Sequence, residues 1–405
     1  MTAADLTDID LQSDAFRQDP YTAYARMRAA GRLVQVNVAG QPQWMATRHA
    51  DIAAALKDAR FGTESELPSA QWLQAVPEPI RVLHEMQRRW MLFLNPPTHT
   101  RLRGLAHQAF TPRMVQALEG QIEQRAHELL DRALAQPVFD LVHDFAHPLP
   151  VDVIAQILGV PIADREAFAR WSVQLGATLD PIAPDEVYLR GGEAAMGFSA
   201  YMRQLIAQRR GEPGSDLLSA LIAAEQAGDH LDEEEMIATC VLLLLAGHET
   251  TQNLIGNGVH ALLRHPEQLL RLRQEPQLIK SAVEEMLRYD SPVQCVPRLL
   301  REDMAVGGVD LPRNSRVWML IGSAHRDEEA YPNASVLDIG RDRSHLAFGA
   351  GIHFCLGALL ARTEAQIALR VLLERAPNLR LAGGADPRVR PMVTLRGLQS
   401  LPVAP

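Results

Sequence analysis

Phe348-Gly349-Ala350-Gly351-Ile352-His353-Phe354-Cys355-Leu356-Gly357 is the stretch that decides how this 405-residue chain is read. A glycine-rich loop runs into an apolar segment with helical periodicity. A helix is expected from Cys355 to Arg375, with the cysteine in its first turn. Backbone N–H groups there lack partners within the helix, and the helix dipole favours an anion. Both effects lower a thiol's pKa and favour thiolate, the form that ligates metals. Gly349, Gly351 and Gly357 let the backbone approach a flat ligand closely. A lone cysteine beside a turn is more often an inert core residue. Here every fixed position of the pattern meets a physical demand of its own.

Composition narrows the class. The hydrophobic set makes up 47% of the chain, ample for a sizeable core, and aromatics only 5%, with Ala and Leu dominant, which favours helices packed on helices. The net charge of -9 offers no basic field to nucleic acid. Three cysteines, Cys240, Cys295 and Cys355, without short spacings, argue against a disulfide scaffold or a zinc knuckle. The first twenty residues are acidic and polar, unlike a secretory leader. The longest apolar run, Cys240–Ala246, is far shorter than the roughly 20 residues a bilayer span needs. A cytoplasmic monomer without membrane or nucleic-acid partners is expected.

Periodicity reads as mainly α with small β-sheets, in one domain over 1–405 whose β-containing parts lie at about 20–60 and 292–345. Phe61–Pro79 reads as a long irregular surface segment. The longest helix is expected over Asp232–Arg264, N-capped by Asp232 and ended by Pro266. In its middle lies Ala246-Gly247-His248-Glu249-Thr250-Thr251. Glycine and consecutive threonines are poor choices for a helix interior, and a broken local rule inside a strong element often marks a working site. Gly247 leaves space for a small ligand. An acid followed by an alcohol offers a proton path.

The Cys355 segment resembles the haem-binding loop of the cytochrome P450 family, Phe-Gly-x-Gly-x-His-x-Cys-x-Gly, at every fixed position. The resemblance runs over roughly Asp19–Leu401 and is greatest to soluble bacterial members. It implies the family's fold, with the long helix over the haem, and a haem-thiolate monooxygenase. Such an enzyme hydroxylates or epoxidises a lipophilic small molecule, such as a polyketide or macrolide, a terpenoid or a steroid. Cys355 would be the axial ligand of haem b, with Phe348, Gly349 and Gly357 around it and Ala246, Gly247 and Thr250 on the opposite face. Glu249 and Thr250 would deliver protons to O₂. A buried haem needs partners for its two propionates. His99 and Arg103, four apart on one helix face, Arg298 and His353 match the family positions. Electrons from NAD(P)H would come through a separate ferredoxin and ferredoxin reductase, docking near Arg341, Arg343 or Arg362. Leu243, Ala246, Val293, Val296, Val393 and Thr394 would line the substrate pocket.

Glu285 and Arg288, spaced for an ion pair, match a buried structural pair of the family. The chain departs from the family where an Arg usually supports that pair. Val336-Leu337 stands there, and His325 replaces a usual Asn in Ala324-His325-Arg326-Asp327. Arg341 or His325 are the candidate substitutes. Two other activities stay open: a peroxide-driven or non-monooxygenase haem-thiolate enzyme, and a non-catalytic haem or ligand-binding protein.

Overall fold

The computed structural model describes Leu6 and residues 8–38, 40–63, 70–180, 183–214, 216–226, 231–383 and 387–405. The expectations for Ala39, for 64–69 and for 181–182 lie outside them. The chain gathers into two compact units. The first holds residues 1–62, 119–148 and 250–405, and the second 63–118 and 149–249.

A five-stranded sheet organises the first unit. In spatial order its strands are Leu33–Val38, Gln41–Ala46, Arg316–Leu320, Cys295–Leu300 and Phe61–Gly62. Arg298 lies opposite Val317 in this register. One apolar cluster on the sheet includes Leu33, Ile52, Val317, Met319, Leu346 and Ala350. Leu346 and Ala350 root the Cys355 loop in that core, so burial of the sheet face also fixes the loop's origin.

In the second unit, helices Glu78–Gln87, Arg165–Ala177 and Asp185–Gly211 pack together. The contact is close because of glycine: a methyl group at Gly192 would run into the Pro79 carbonyl, and one at Gly191 into the Thr178 side chain. A 32-residue helix, Glu233–Arg264, runs through both units. Its start is capped reciprocally: the Glu235 N–H donates to Asp232 Oδ1 at 2.7 Å and the Asp232 N–H to Glu235 Oε2 at 3.4 Å.

Prolines account for the main differences from the sequence expectation. Pro79, read as part of an irregular stretch, sits in the first turn of Glu78–Gln87, where its missing N–H costs nothing. Pro266 ends the long helix and also opens a further one, Pro266–Gln274. The last helix starts at Ala358, N-capped by Gly357, so Cys355 precedes it instead of lying in its first turn.

Candidate functional site

The Cys355 loop owes its path to two left-handed glycines, Gly349 at φ 69° and Gly351 at φ 70°. L-residues pay for that conformation, and a side chain at Gly351 would also meet the Leu56 carbonyl. The turn closes through the Cys355 N–H, which donates to the Phe348 carbonyl at 2.9 Å. That N–H is thereby committed, so the helix-start argument for thiolate weakens. What remains is access: Cys355 is exposed, and a methyl group at Gly357 would meet nothing within 4 Å. An accessible thiol beside an open glycine suits a flat metal-bearing ligand.

Beneath the loop, Arg362 lies 4.3 Å from the centroid of Phe348, and both its Nε and Nη2 donate to Glu284, at 2.7 and 2.8 Å. His345 Nε2 is 3.1 Å from the same carboxylate. These partners pull the Glu284 carboxyl down to about 2 against its burial.

The Glu285–Arg288 pair is as buried as the family resemblance implies, with 1% side-chain exposure on each partner. Arg288 makes a two-pronged bond to Glu285, both prongs at 2.7 Å. Its remaining donors reach the carbonyls of His325, Ala334 and Val336, at 2.7, 2.8 and 3.2 Å. Both candidate substitutes for the missing arginine take part. Arg341 Nε donates to Glu285 at 3.2 Å, and its other nitrogens bind the Pro332, Asn333 and Val336 carbonyls. His325, held neutral by burial first and by neighbouring cations, accepts the Leu346 N–H at Nε2, 2.9 Å away. Val336 contributes only its carbonyl here, so its side-chain type matters little. Arg341 is turned inward and Arg362 is stacked and paired; of the three arginines expected at a docking face, Arg343 is the exposed one.

Arg298 is 9% exposed, and among the described residues no carboxylate pairs with it. Its Nη1 donates only to the adjacent Pro297 carbonyl, and burial lowers its pKa to about 10. A desolvated guanidinium without an anion fits an anionic ligand group such as a propionate. His353, also expected to bind propionate, is half-buried in the Cys loop. Val293 and Val296 are half-buried, and Val393 and Thr394 lie beside them: the Gln294 N–H donates to the Thr394 carbonyl at 2.8 Å.

In the second unit, His99 is buried and Arg103 half-buried, one turn apart on Thr98–Ala109. Burial first, and Arg103 second, lower the His99 pKa and favour neutral imidazole. On the long helix Leu243 is buried, but Ala246 is exposed and Gly247 and Thr250 are half-exposed, although both flanks are buried. Gly247 has a packing reason too, since a methyl group there would press on Ile154 at 3.3 Å.

The chain belongs to the cytochrome P450 family, whose profile matches residues 28–376. It is 42% identical to the biotin biosynthesis cytochrome P450 of Bacillus subtilis strain 168, over 96% of this chain and 97% of that protein. It is 40% identical to 6-deoxyerythronolide B hydroxylase of Saccharopolyspora erythraea, over 97% of this chain and 98% of that one. Among solved structures, P450BioI in complex with an acyl carrier protein bearing hexadec-9Z-enoic acid superposes with a TM-score of 0.91 at 42% identity, covering 97% of this chain and 100% of that one. The protein is therefore a haem-thiolate oxidoreductase of the monooxygenase class that uses O₂. The residues described above fit that cofactor.

Sequence reasoning missed Glu364. It interrupts the buried stripe Leu360–Glu364–Ala368 on the last helix, which was the available signal. It is 1% exposed, its Oε2 accepts no hydrogen bond among the described residues, and burial raises its pKa from 4.5 to about 8. A carboxyl with a raised folded pKa binds more protons folded than unfolded. Its stabilisation is complete below pH 4.5 and lost as pH rises to about 8. Glu364→Gln should flatten the fall in stability across that window. Urea midpoints at several pH values check this, and parallel curves for parent and variant would refute it.

Proposed function

We propose that this chain inserts one oxygen atom of O₂ into a C–H or C=C bond of a lipophilic small molecule of the polyketide, macrolide, terpenoid or steroid kind. The other oxygen atom leaves as water, and the reaction consumes two electrons and two protons. Cys355 would hold the iron of haem b through its thiolate. When bound, the haem supplies O₂ activation, and an axial thiolate favours O–O cleavage. The observation that carries the reading is the accessible Cys355 thiol on a glycine-framed loop braced by a buried ion-pair network.

The protein's residues supply the rest. Arg298 and His353, with His99 and Arg103, bind the propionates. Glu285 and Arg288 hold the Cys loop in place. The Glu249 carboxyl passes protons toward Thr250 Oγ1. Leu243, Ala246, Val293, Val296, Val393 and Thr394 present small, mostly apolar surface to substrate, which suits a lipophilic ligand. Relatives named for a macrolide precursor and for vitamin D(3) support that substrate class.

Electrons come from NAD(P)H through a separate ferredoxin reductase and ferredoxin. Arg343, with the exposed Ile352, Phe354 and Leu359, offers the docking face. A cytoplasmic location is part of this reading. Separately, no described helix is long and apolar enough to cross a membrane.

A ligand screen scored by the haem spin-state shift, followed by turnover with the ferredoxin system, tests this function. Turnover with H₂O₂ but none with NAD(P)H and the partners would overturn it. Glu249→Gln is expected to lower product formation by about 10²-fold, the lower end of general acid–base contributions. The ligand-induced spin shift should remain, while more electrons end in H₂O₂. Product and peroxide per NAD(P)H measure both.

A further inference from the structure

Helix Arg165–Ala177 presents two small residues one turn apart, Ser172 and Gly176, to consecutive residues of the long helix. Ser172 Oγ lies 2.8 Å from the Ala169 carbonyl and 3.3 Å from His248 Nε2, and its single proton is shared between these two acceptors. The other imidazole nitrogen, Nδ1, is 2.9 Å from the Leu244 carbonyl, so the ring is held at both ends. Gly176 faces Glu249. A methyl group at Gly176 would overlap the Glu249 Oε2 and lie 3.3 Å from Leu245 Cδ1. All of these side chains are buried.

Glycine here needs a reason. Alanine is better in a helix by about 1 kcal/mol. Gly176 sits inside the helix, not after its end, and is not among the residues with positive φ, so no left-handed cap requires it. The space its missing side chain leaves is the space the carboxylate fills.

We infer that Gly176 is a positioning residue: by lacking a side chain it seats the Glu249 carboxyl in the one rotamer from which it can serve Thr250. This rests on the proton-relay reading of Glu249 given above. The imidazole of His248, anchored to Ser172, keeps the two helices in register so that Gly176 stays opposite the acid. A displacement of about 1 Å at a reacting group can cost on the order of 10²-fold in rate. A methyl group pushing on Oε2 is a displacement of that order.

The test is a double-mutant cycle over Gly176→Ala, Glu249→Asp and the pair, with Glu249→Gln beside it. Each haem-loaded variant is given ferredoxin, its reductase and NAD(P)H, with myristic acid as the probe ligand. The share of electrons recovered as H₂O₂ is read together with the thermal midpoint and the reduced CO spectrum. A crystal structure of Gly176→Ala gives the Glu249 rotamer directly. Gly176→Ala alone should raise the peroxide share several-fold, keep the spectrum and midpoint, and move the Glu249 carboxyl. In the Glu249→Asp background, where the acid is one methylene shorter, the same methyl group should add nothing. If Gly176→Ala matches the parent in peroxide share and rotamer while Glu249→Gln does not, Gly176 has no positioning role. Equal peroxide effects of Gly176→Ala in both backgrounds also overturn the proposal. If Glu249→Gln itself matches the parent, the proton-relay reading fails, and this inference with it.

Discussion

Replacing Arg288 with methionine is expected to lower the unfolding free energy by about 3–5 kcal/mol, because it strips one partner from a fully buried ion pair. That is a large part of the 5–15 kcal/mol typical of a folded domain. Glu285 would keep only the Arg341 guanidinium and the Asp338 N–H, at 3.2 and 2.9 Å. The carbonyls of His325, Ala334 and Val336 would lose their shared donor. Methionine restores part of the volume but none of the charge. His325 also receives the Leu346 N–H, so the loss should reach the root of the Cys355 loop and weaken haem retention. Urea unfolding of parent and variant measures the first effect and haem content after dialysis the second. A stability change below about 1 kcal/mol, the scale of a surface pair, would show that the network braces nothing.

Arg341→Ala should cost less than Arg288→Met, since Arg341 adds a single bond to Glu285 and otherwise binds carbonyls at the surface. That ordering follows from which residue took over the missing support. The sequence left Arg341 and His325 as rivals because spacing cannot show whether a side chain turns inward. The structure divides the task between them: Arg341 supplies charge and His325 supplies an acceptor.

The main features of fold and site were readable for physical reasons that differ by element. The long helix declares itself through its Asp232 N-cap and the Pro266 that ends it. The ten-residue Cys loop declared itself because two of its glycines answer to left-handed backbone, which few other residues tolerate. The exact start of the last helix was not readable. Cys355 precedes it by a short turn that hydrophobic periodicity does not resolve, and its N–H is spent on Phe348. Pro266 reads in the sequence as the end of the long helix, and that the same residue also opens the next one is not readable from it. Arg298 was legible only through the family resemblance. What distinguishes it is burial without a carboxylate partner, which no local pattern encodes. Gly176 gave no signal at all, because its partner lies more than seventy residues away on another helix.

Cys355→Ser is expected to abolish substrate oxidation. Serine keeps the size of the side chain but exchanges a soft, readily ionised sulfur for a hydroxyl that stays protonated at neutral pH. With Cys355 as the haem ligand, the substitution would remove the electron-donating thiolate, and O₂ activation with it. The loop itself should survive, because its shape depends on Gly349, Gly351 and the Cys355 backbone N–H, none of which the substitution touches. The most direct measurement of the central claim is the spectrum of the dithionite-reduced, CO-bound protein, parent beside Cys355→Ser. The parent should show the red-shifted Soret band of thiolate ligation. The variant should lack it while still folding to the same far-ultraviolet circular dichroism. A parent that binds no haem, or a variant that keeps the red-shifted band, would contradict the assignment of Cys355 as the ligand.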